Sequence, residues 1–234
     1  SLDTVEPGPS LTALGERQAA EVPGALDGVQ IDAIFVSTLV RTQETAVPLA
    51  HSREQEVIEL SGIHEIEAGE YEGRTDQHST RRYLETVFAW GLGEPDRRMP
   101  GAGHGHDFFA RFDASIADAA ATVKVLTDDF GRAGAGGTPG TDGTAVIFSH
   151  GAAIRVWVAG RAANVPPSFA GSHELDNTGI VELVGSPEAG WTLTRWQGSP
   201  IGGEELADAA AEDPTGETLA EARAEDEADA CPNR

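Results

Sequence analysis

The sequence predicts a three-layer α/β/α sandwich, and three observations carry that expectation. Two short apolar runs rich in β-branched residues, 31–36 and 144–148, read as buried strands. Each passes almost directly into a stretch at helical spacing, 39–50 and 152–163. The rest of the chain continues to alternate helical with extended segments, the pattern of helices layered on both faces of a largely parallel sheet.

The remaining elements follow in order. Residues 1–9 form a loop that opens on Ser1, not Met. A compact domain seldom starts on a long irregular segment, so further sequence is expected ahead of residue 1 in the natural protein. Residues 10–22 form an amphipathic helix with Thr12 as N-cap, bent or ended by Pro23. Ser37-Thr38 closes the first strand, and Arg41 stands in the first turn of the helix after it. Residues 56–60 and 63–66 are short extended pieces around Ser61-Gly62, and 69–73 is a turn. Helices are expected over 75–92 and 108–130, separated by a Pro-, Gly- and His-rich loop at 93–107. The Gly-rich stretch 131–143 lacks the spacing of a phosphate-cradling glycine motif and reads as a surface loop. After the central strand and helix, 179–184 and 191–197 pair across a turn at 185–190. From about residue 202, Ala, Glu and Asp dominate, marking a disordered or frayed-helical tail. The expected organisation is one domain over 1–201 and an acidic tail over 202–234.

Charge and composition narrow the function. The formal net charge is −23, of which 11 acidic and 2 basic residues after position 202 supply −9. Non-specific nucleic-acid binding needs a basic face, so nucleic acid is an unexpected partner. No apolar run approaches a membrane span. Cys231 is the only cysteine, which excludes an intrachain disulfide framework and a Cys-rich metal site, and the cytoplasm is the default compartment.

Three positions where a strand gives way to a turn or helix carry candidate chemistry. Ser37-Thr-Leu-Val-Arg41-Thr-Gln-Glu-Thr-Ala46 places an arginine at a helix start; His64-Glu65-Ile-Glu-Ala-Gly69-Glu-Tyr-Glu-Gly73 places a carboxylate before a turn; Ser149-His150-Gly151 ends the central strand on a histidine. In open α/β sheets, ligands gather at the carboxyl ends of strands, where helix N-termini offer unpaired N–H groups to anions. Taken alone, Arg41 also fits a solvated helix arginine and His150 a structural histidine, and Glu67, Glu70 and Glu72 compete with Glu65.

Together with Leu11-Thr-Ala-Leu-Gly15-Glu-Arg-Gln18-Ala19, these segments resemble the histidine phosphatase superfamily, which includes the cofactor-dependent phosphoglycerate mutases. The resemblance covers roughly residues 2–198, in the family's order and at about its spacings. It implies a phosphoglycerate mutase-like fold, with Arg41, Glu65 and His150 as catalytic residues. Arg41 and the backbone at Gly151 and Ala152 would bind the phosphoryl group. The family's opening strand, which ends on an Arg-His-Gly motif with the nucleophilic histidine, is absent. That histidine would lie upstream of residue 1, and its loss would leave buried backbone groups beside the central strand unpaired at roughly 1–3 kcal/mol each. The expected activity is metal-independent hydrolysis of a small phosphorylated metabolite through a phosphohistidine, with no cofactor. Mutase-type phosphoryl transfer and non-catalytic phosphate binding are the alternatives, and a homodimer is compatible with either.

Two segments stay open. His104-Gly-His106-Asp107 could bind metal, but Phe108 and Phe109 follow where further ligands would stand, and zinc needs three or four. His104 is instead expected to touch the non-phosphate part of the substrate, unless this is a solvated loop. Asn177 either borders the pocket or belongs to an ordinary strand-entry turn.

Overall fold

The two apolar runs form the spine of the sheet. The computed structural model describes residues 1–129, 143–202, 206 and 216–230. In it β1 (Ala33–Val36) lies between β2 (Val57–Glu59) and β3 (Ala145–Phe148), all parallel. Side chains alternate along β1, as a strand flanked on both faces requires. Ala33 and Phe35 enter one apolar cluster, and Ile34 and Val36 enter the other. The first cluster draws on α3 (Gln77–Gly91), α4 (Gly105–Asp129) and α5 (Gly151–Arg161). The second draws on α1 (Ala13–Ala25) and α2 (Val40–Arg53). The fold is therefore the expected three-layer sandwich.

Beyond the short α6 (Phe169–Ser172), β4 (Ile180–Ser186) and β5 (Gly190–Gln197) form an antiparallel hairpin that is a separate sheet. Val146 and Phe148 of β3 and Ile180 of β4 pack on one cluster, while Ile147, Val181 and Leu183 pack on the other. The hairpin thus extends the middle layer without a ladder to β3. Among the described residues, the edge of β3 away from β1 pairs with no strand. Sequence reasoning expects buried, unpaired backbone there. Along that strand Ala145 is exposed and Val146, Ile147 and Phe148 are half-buried.

Other elements depart from expectation for local reasons. α1 continues through Pro23 to Ala25, although proline has no N–H to donate to the carbonyl four residues back, at Ala19. Residues 63–66 form no strand: Ser61–Ile63 is a 3₁₀ turn, and the chain after it is irregular, with His64 in an extended conformation. α4 begins at Gly105 inside the expected loop. There Asp107 Oδ2 accepts from the His104 N–H at 3.2 Å, the reciprocal half of a capping box with histidine at the cap. Histidine is not a favoured N-cap, so sequence reasoning starts this helix too late. The Gly-rich loop at 131–143 lies outside the described residues except for Gly143. In the acidic tail, α7 (Leu219–Ala230) rests on α3, with Ala222 buried and Arg223 facing Glu85 at 3.2 Å. No helix among the described residues is long and apolar enough to cross a membrane.

The 3₁₀ turn touches α4 so closely that a Cβ at Gly62 would collide with the Arg111 carbonyl and Ser115 Oγ. Both obstacles belong to a packed helix that cannot yield cheaply. Gly62→Ala should therefore lower stability by about 1–3 kcal/mol in urea unfolding. An unchanged unfolding free energy would contradict this packing.

Candidate active site

The pairing of β1 with β3 brings two distant stretches of sequence to one place. Val36 stands opposite Phe148, so Ser37 and Ser149 leave the sheet side by side. The chain then turns into α2 on one side and α5 on the other. Arg41 lies in the first turn of α2, and His150 is the N-cap of α5. Arg41 Nη2 lies 3.0 Å from His150 Nδ1, across 109 residues of sequence.

This contact sets the state of the imidazole. A guanidinium can only donate, so Nδ1 must present its lone pair and the proton resides on Nε2. His150 Nε2 is 2.7 Å from Ser37 Oγ, which is 2.9 Å from Thr42 Oγ1. Thr42 Oγ1 in turn donates to the Leu39 carbonyl at 2.9 Å. The Leu39 N–H also donates to Ser37 Oγ, at 3.2 Å. The relay ends on backbone, where the Ser37 carbonyl is a second, longer acceptor for Thr42 Oγ1 at 3.3 Å. Burial, and then the positive charge of Arg41, push the His150 pKa well below the usual 6.5.

Arg41 itself is incompletely satisfied. The loop before α1 closes over it: the Pro7 carbonyl accepts from the Val40 N–H at 2.9 Å, and a Cβ on Gly8 would come within 3.0 Å of Arg41 Nη1. That Nη1 is buried with no hydrogen-bond partner, as is Thr38 Oγ1 three residues earlier. Buried donors are rarely left unpaired, and a guanidinium edge fits a phosphoryl oxygen.

Of the four neighbouring acids, Glu65 stands apart. It is 1% exposed, and both its oxygens face backbone N–H groups. Ile66 and Ala153 donate to Oε1 at 2.8 and 2.9 Å, and Ala152 donates to Oε2 at 3.2 Å. Burial nevertheless outweighs these bonds and the nearby charge of Arg41, and the Glu65 pKa is raised above 4.5. Glu67 has the opposite fate. Its burial is overcome by a hydrogen bond from His64 and the charge of Arg111, which bring its pKa down to about 2. Glu70 is exposed, and Glu72 accepts from the backbone of Thr4 and Val5 at 2.9 and 3.1 Å.

The structure thus brings Arg41, His150 and Glu65 to one strand-end site, with Gly151 and Ala152 in the first turn of α5. The Ala152 N–H is not open toward a ligand, because Glu65 takes it. His104 is not hydrogen-bonded to Arg41, His150 or Glu65 among the described residues; it lines a cavity of about 500 Å³ with Glu67, Glu72, Trp90, Asp107 and Arg111. His104 Nδ1 is 2.8 Å from Asp107 Oδ2, whereas His106 Nε2 is 3.0 Å from Asp96 Oδ1. The two histidines are thus turned to different acids. Asn177 sits on an exposed turn before β4, and no hydrogen bond among the described residues ties it to Arg41, His150 or Glu65. Sequence reasoning misses Ser37 and Thr42 as the support of His150. Their only signal is a hydroxyl pair five residues apart at the end of a strand.

The depressed His150 pKa has a definite sign. Above about pH 6.5 folded and unfolded chains both carry the neutral ring; below it the unfolded chain takes a proton that the folded one refuses. Stability should therefore fall between pH 7.5 and 5.5, by up to about 1.4 kcal/mol per pH unit. Glu65, with its raised pKa, acts in the opposite sense in both the parent and a His150→Gln variant. Urea unfolding at the two pH values should show the variant losing less stability than the parent. Equal losses would mean that His150 titrates normally.

Comparison with known proteins gives the family and the fold. The model of the histidine phosphatase superfamily (branch 1) matches residues 4–198. The PE-PGRS family protein PE_PGRS11 of Mycobacterium tuberculosis is 35% identical over 212 residues, 89% of this chain. The chain spans only 35% of that relative's length. A mycobacterial glucosyl-3-phosphoglycerate phosphatase solved with inorganic phosphate superposes at a TM-score of 0.63 and 24% identity, over 81% of this chain and 88% of the other. A phosphoserine phosphatase from Entamoeba histolytica, solved with 3-phosphoglyceric acid, gives 0.55 and 25%, over 85% and 87%. With the same fold and a family match across most of its length, this chain belongs to the histidine phosphatase superfamily.

Proposed function

We propose that the protein is a metal-independent phosphomonoesterase that hydrolyses a small phosphate ester through a phosphohistidine. The observation that carries this reading is the buried, unpartnered Nη1 of Arg41 beside His150, with the Glu65 carboxyl group close by. Arg41 and His150 would hold the non-bridging oxygens as charge builds up on them in the transition state. His150 donates to such an oxygen only as an imidazolium: the negative charge of the bound ester favours that state, Nδ1 takes its proton from solvent water and gives up the Arg41 Nη2 contact, and Ser37 keeps Nε2 in place. The guanidinium supplies fixed positive charge to the pocket, a task that metal ions perform in other phosphoryl-transfer sites.

The nucleophile belongs, in this proposal, to a histidine outside residues 1–234, on an extended segment that pairs with the open edge of β3. Its ring nitrogen attacks phosphorus, and the ester oxygen leaves with the proton of Glu65. The resulting Glu65 carboxylate then takes a proton from water as that water attacks the phosphohistidine. Inorganic phosphate and free histidine result, and Glu65 regains its proton. The cavity beside His104 and Arg111 is proposed to receive the alcohol portion of the ester. One observation favours a non-catalytic phosphate binder instead: both ring nitrogens of His150 are already engaged.

The two readings separate in an assay of the natural protein with p-nitrophenyl phosphate and a panel of sugar and glycerate phosphates in EDTA. The enzyme reading expects turnover throughout chelation; phosphate binding without any turnover supports the binder. Arg41→Ala should lower kcat by roughly 10²–10³. Glu65→Gln should cost about 10²–10⁴ with alkyl phosphates but far less with p-nitrophenyl phosphate, whose leaving group scarcely needs a proton. Equal losses on both substrates would remove Glu65 as the acid.

A further inference from the structure

The segment that carries Glu65 is irregular, yet none of its carbonyls from residue 62 to residue 66 is left without a side-chain donor. Arg111 Nη1 donates to the Gly62 and His64 carbonyls at 2.7 and 2.8 Å, and its Nη2 donates to the Glu65 carbonyl at 2.8 Å. Ser149 Oγ donates to Ile63 at 2.8 Å, and Tyr83 Oη to Ile66 at 3.0 Å. One guanidinium on α4 therefore satisfies three of five consecutive carbonyls, in a segment with no strand ladder to do so. Its own place is fixed by the Phe108 ring, 5.2 Å from the guanidinium carbon, and its side chain is only 18% exposed. From the same face of α4, Ser115 Oγ accepts from the Gly62 N–H at 3.1 Å.

From this we infer that Arg111 is a positioning residue for Glu65: it fixes the backbone from which the carboxyl group reaches the start of α5. The inference rests on the reading of Glu65 as the general acid. A planar fork can hold three carbonyls at once, whereas a lysine ammonium is a point charge on a flexible stem and cannot reproduce that geometry. Loss of the fork frees the acid segment and lets the carboxyl group drift from the Ala152 and Ala153 N–H groups. Proton donation to a poor leaving group suffers, while phosphoryl binding by Arg41 and His150 does not.

The test uses the natural protein with Arg111→Lys and, as the harsher change, Arg111→Gln. With an alkyl phosphate such as glycerol 2-phosphate, kcat should fall roughly 10²-fold in Arg111→Gln and by less in Arg111→Lys. With p-nitrophenyl phosphate, kcat in both variants should stay within about fivefold of the parent, and the comparison is made on kcat and not on KM because Arg111 also lines the cavity proposed for the alcohol portion. Equal losses on the two substrates, or none, would overturn the inference and reduce Arg111 to a fold-holding residue. A second readout needs no turnover: the amide NMR signals of Ala152 and Ala153 should shift in Arg111→Lys. If the parent turns over neither substrate, the enzyme reading fails, and these two signals alone decide the positioning role. Unmoved signals in a folded Arg111→Lys would refute it.

Discussion

A guanidinium facing an imidazole cannot share a proton with it, and that restriction organises the site. Because Arg41 only donates, His150 must turn a lone pair toward it and carry its proton on the far nitrogen. The far nitrogen then needs an acceptor, which Ser37 supplies, and Ser37 needs one in turn, which Thr42 supplies. The relay holds only if the ends of β1 and β3 lie level, since Ser37 follows one strand and His150 comes two residues after the other. The parallel register of the central sheet is thus the structural requirement, and the tautomer of one histidine is its chemical consequence.

Charge placement follows from the same arrangement. A cation at the strand ends raises the cost of protonating His150 and favours ionisation of Glu65, but the two groups respond differently because burial acts on different charge states. For histidine, burial and Arg41 act together against the charged ring. For Glu65, burial opposes Arg41 and the N–H donors, and burial dominates. The site therefore favours a neutral imidazole and holds a carboxyl group that gives up its proton less readily than a free glutamic acid, around one fixed positive charge. An arriving phosphoryl dianion would meet the guanidinium edge that has no hydrogen-bond partner among the described residues.

Much of this was legible in the sequence, and the exceptions have physical causes. Apolar β-branched runs at 31–36 and 144–148 announced the strands that matter most, and the residues closing them announced Arg41 and His150. Residues 63–66 were harder. Ile63 and Ile66 are both buried, and that apolar pattern suggests an extended piece. Here, however, the backbone is satisfied by side chains from α3, α4 and the turn after β3, none of which lies near it in sequence. Arg111 was invisible for the same reason, since its carbonyl partners are 46 to 49 residues away. Among four clustered acids, the family resemblance names Glu65, but residue type and spacing do not; burial sets it apart, and burial is a property of the folded chain.

The central claim is that Arg41 and His150 converge on one tetrahedral anion beside Glu65. The most direct measurement is a crystal structure of the protein with bound orthovanadate. The account predicts vanadate oxygens within hydrogen-bonding distance of Arg41 Nη1 and of His150 Nδ1, with Ser37 still holding Nε2. Vanadate bound elsewhere, with Arg41 Nη1 still lacking a partner, would contradict it.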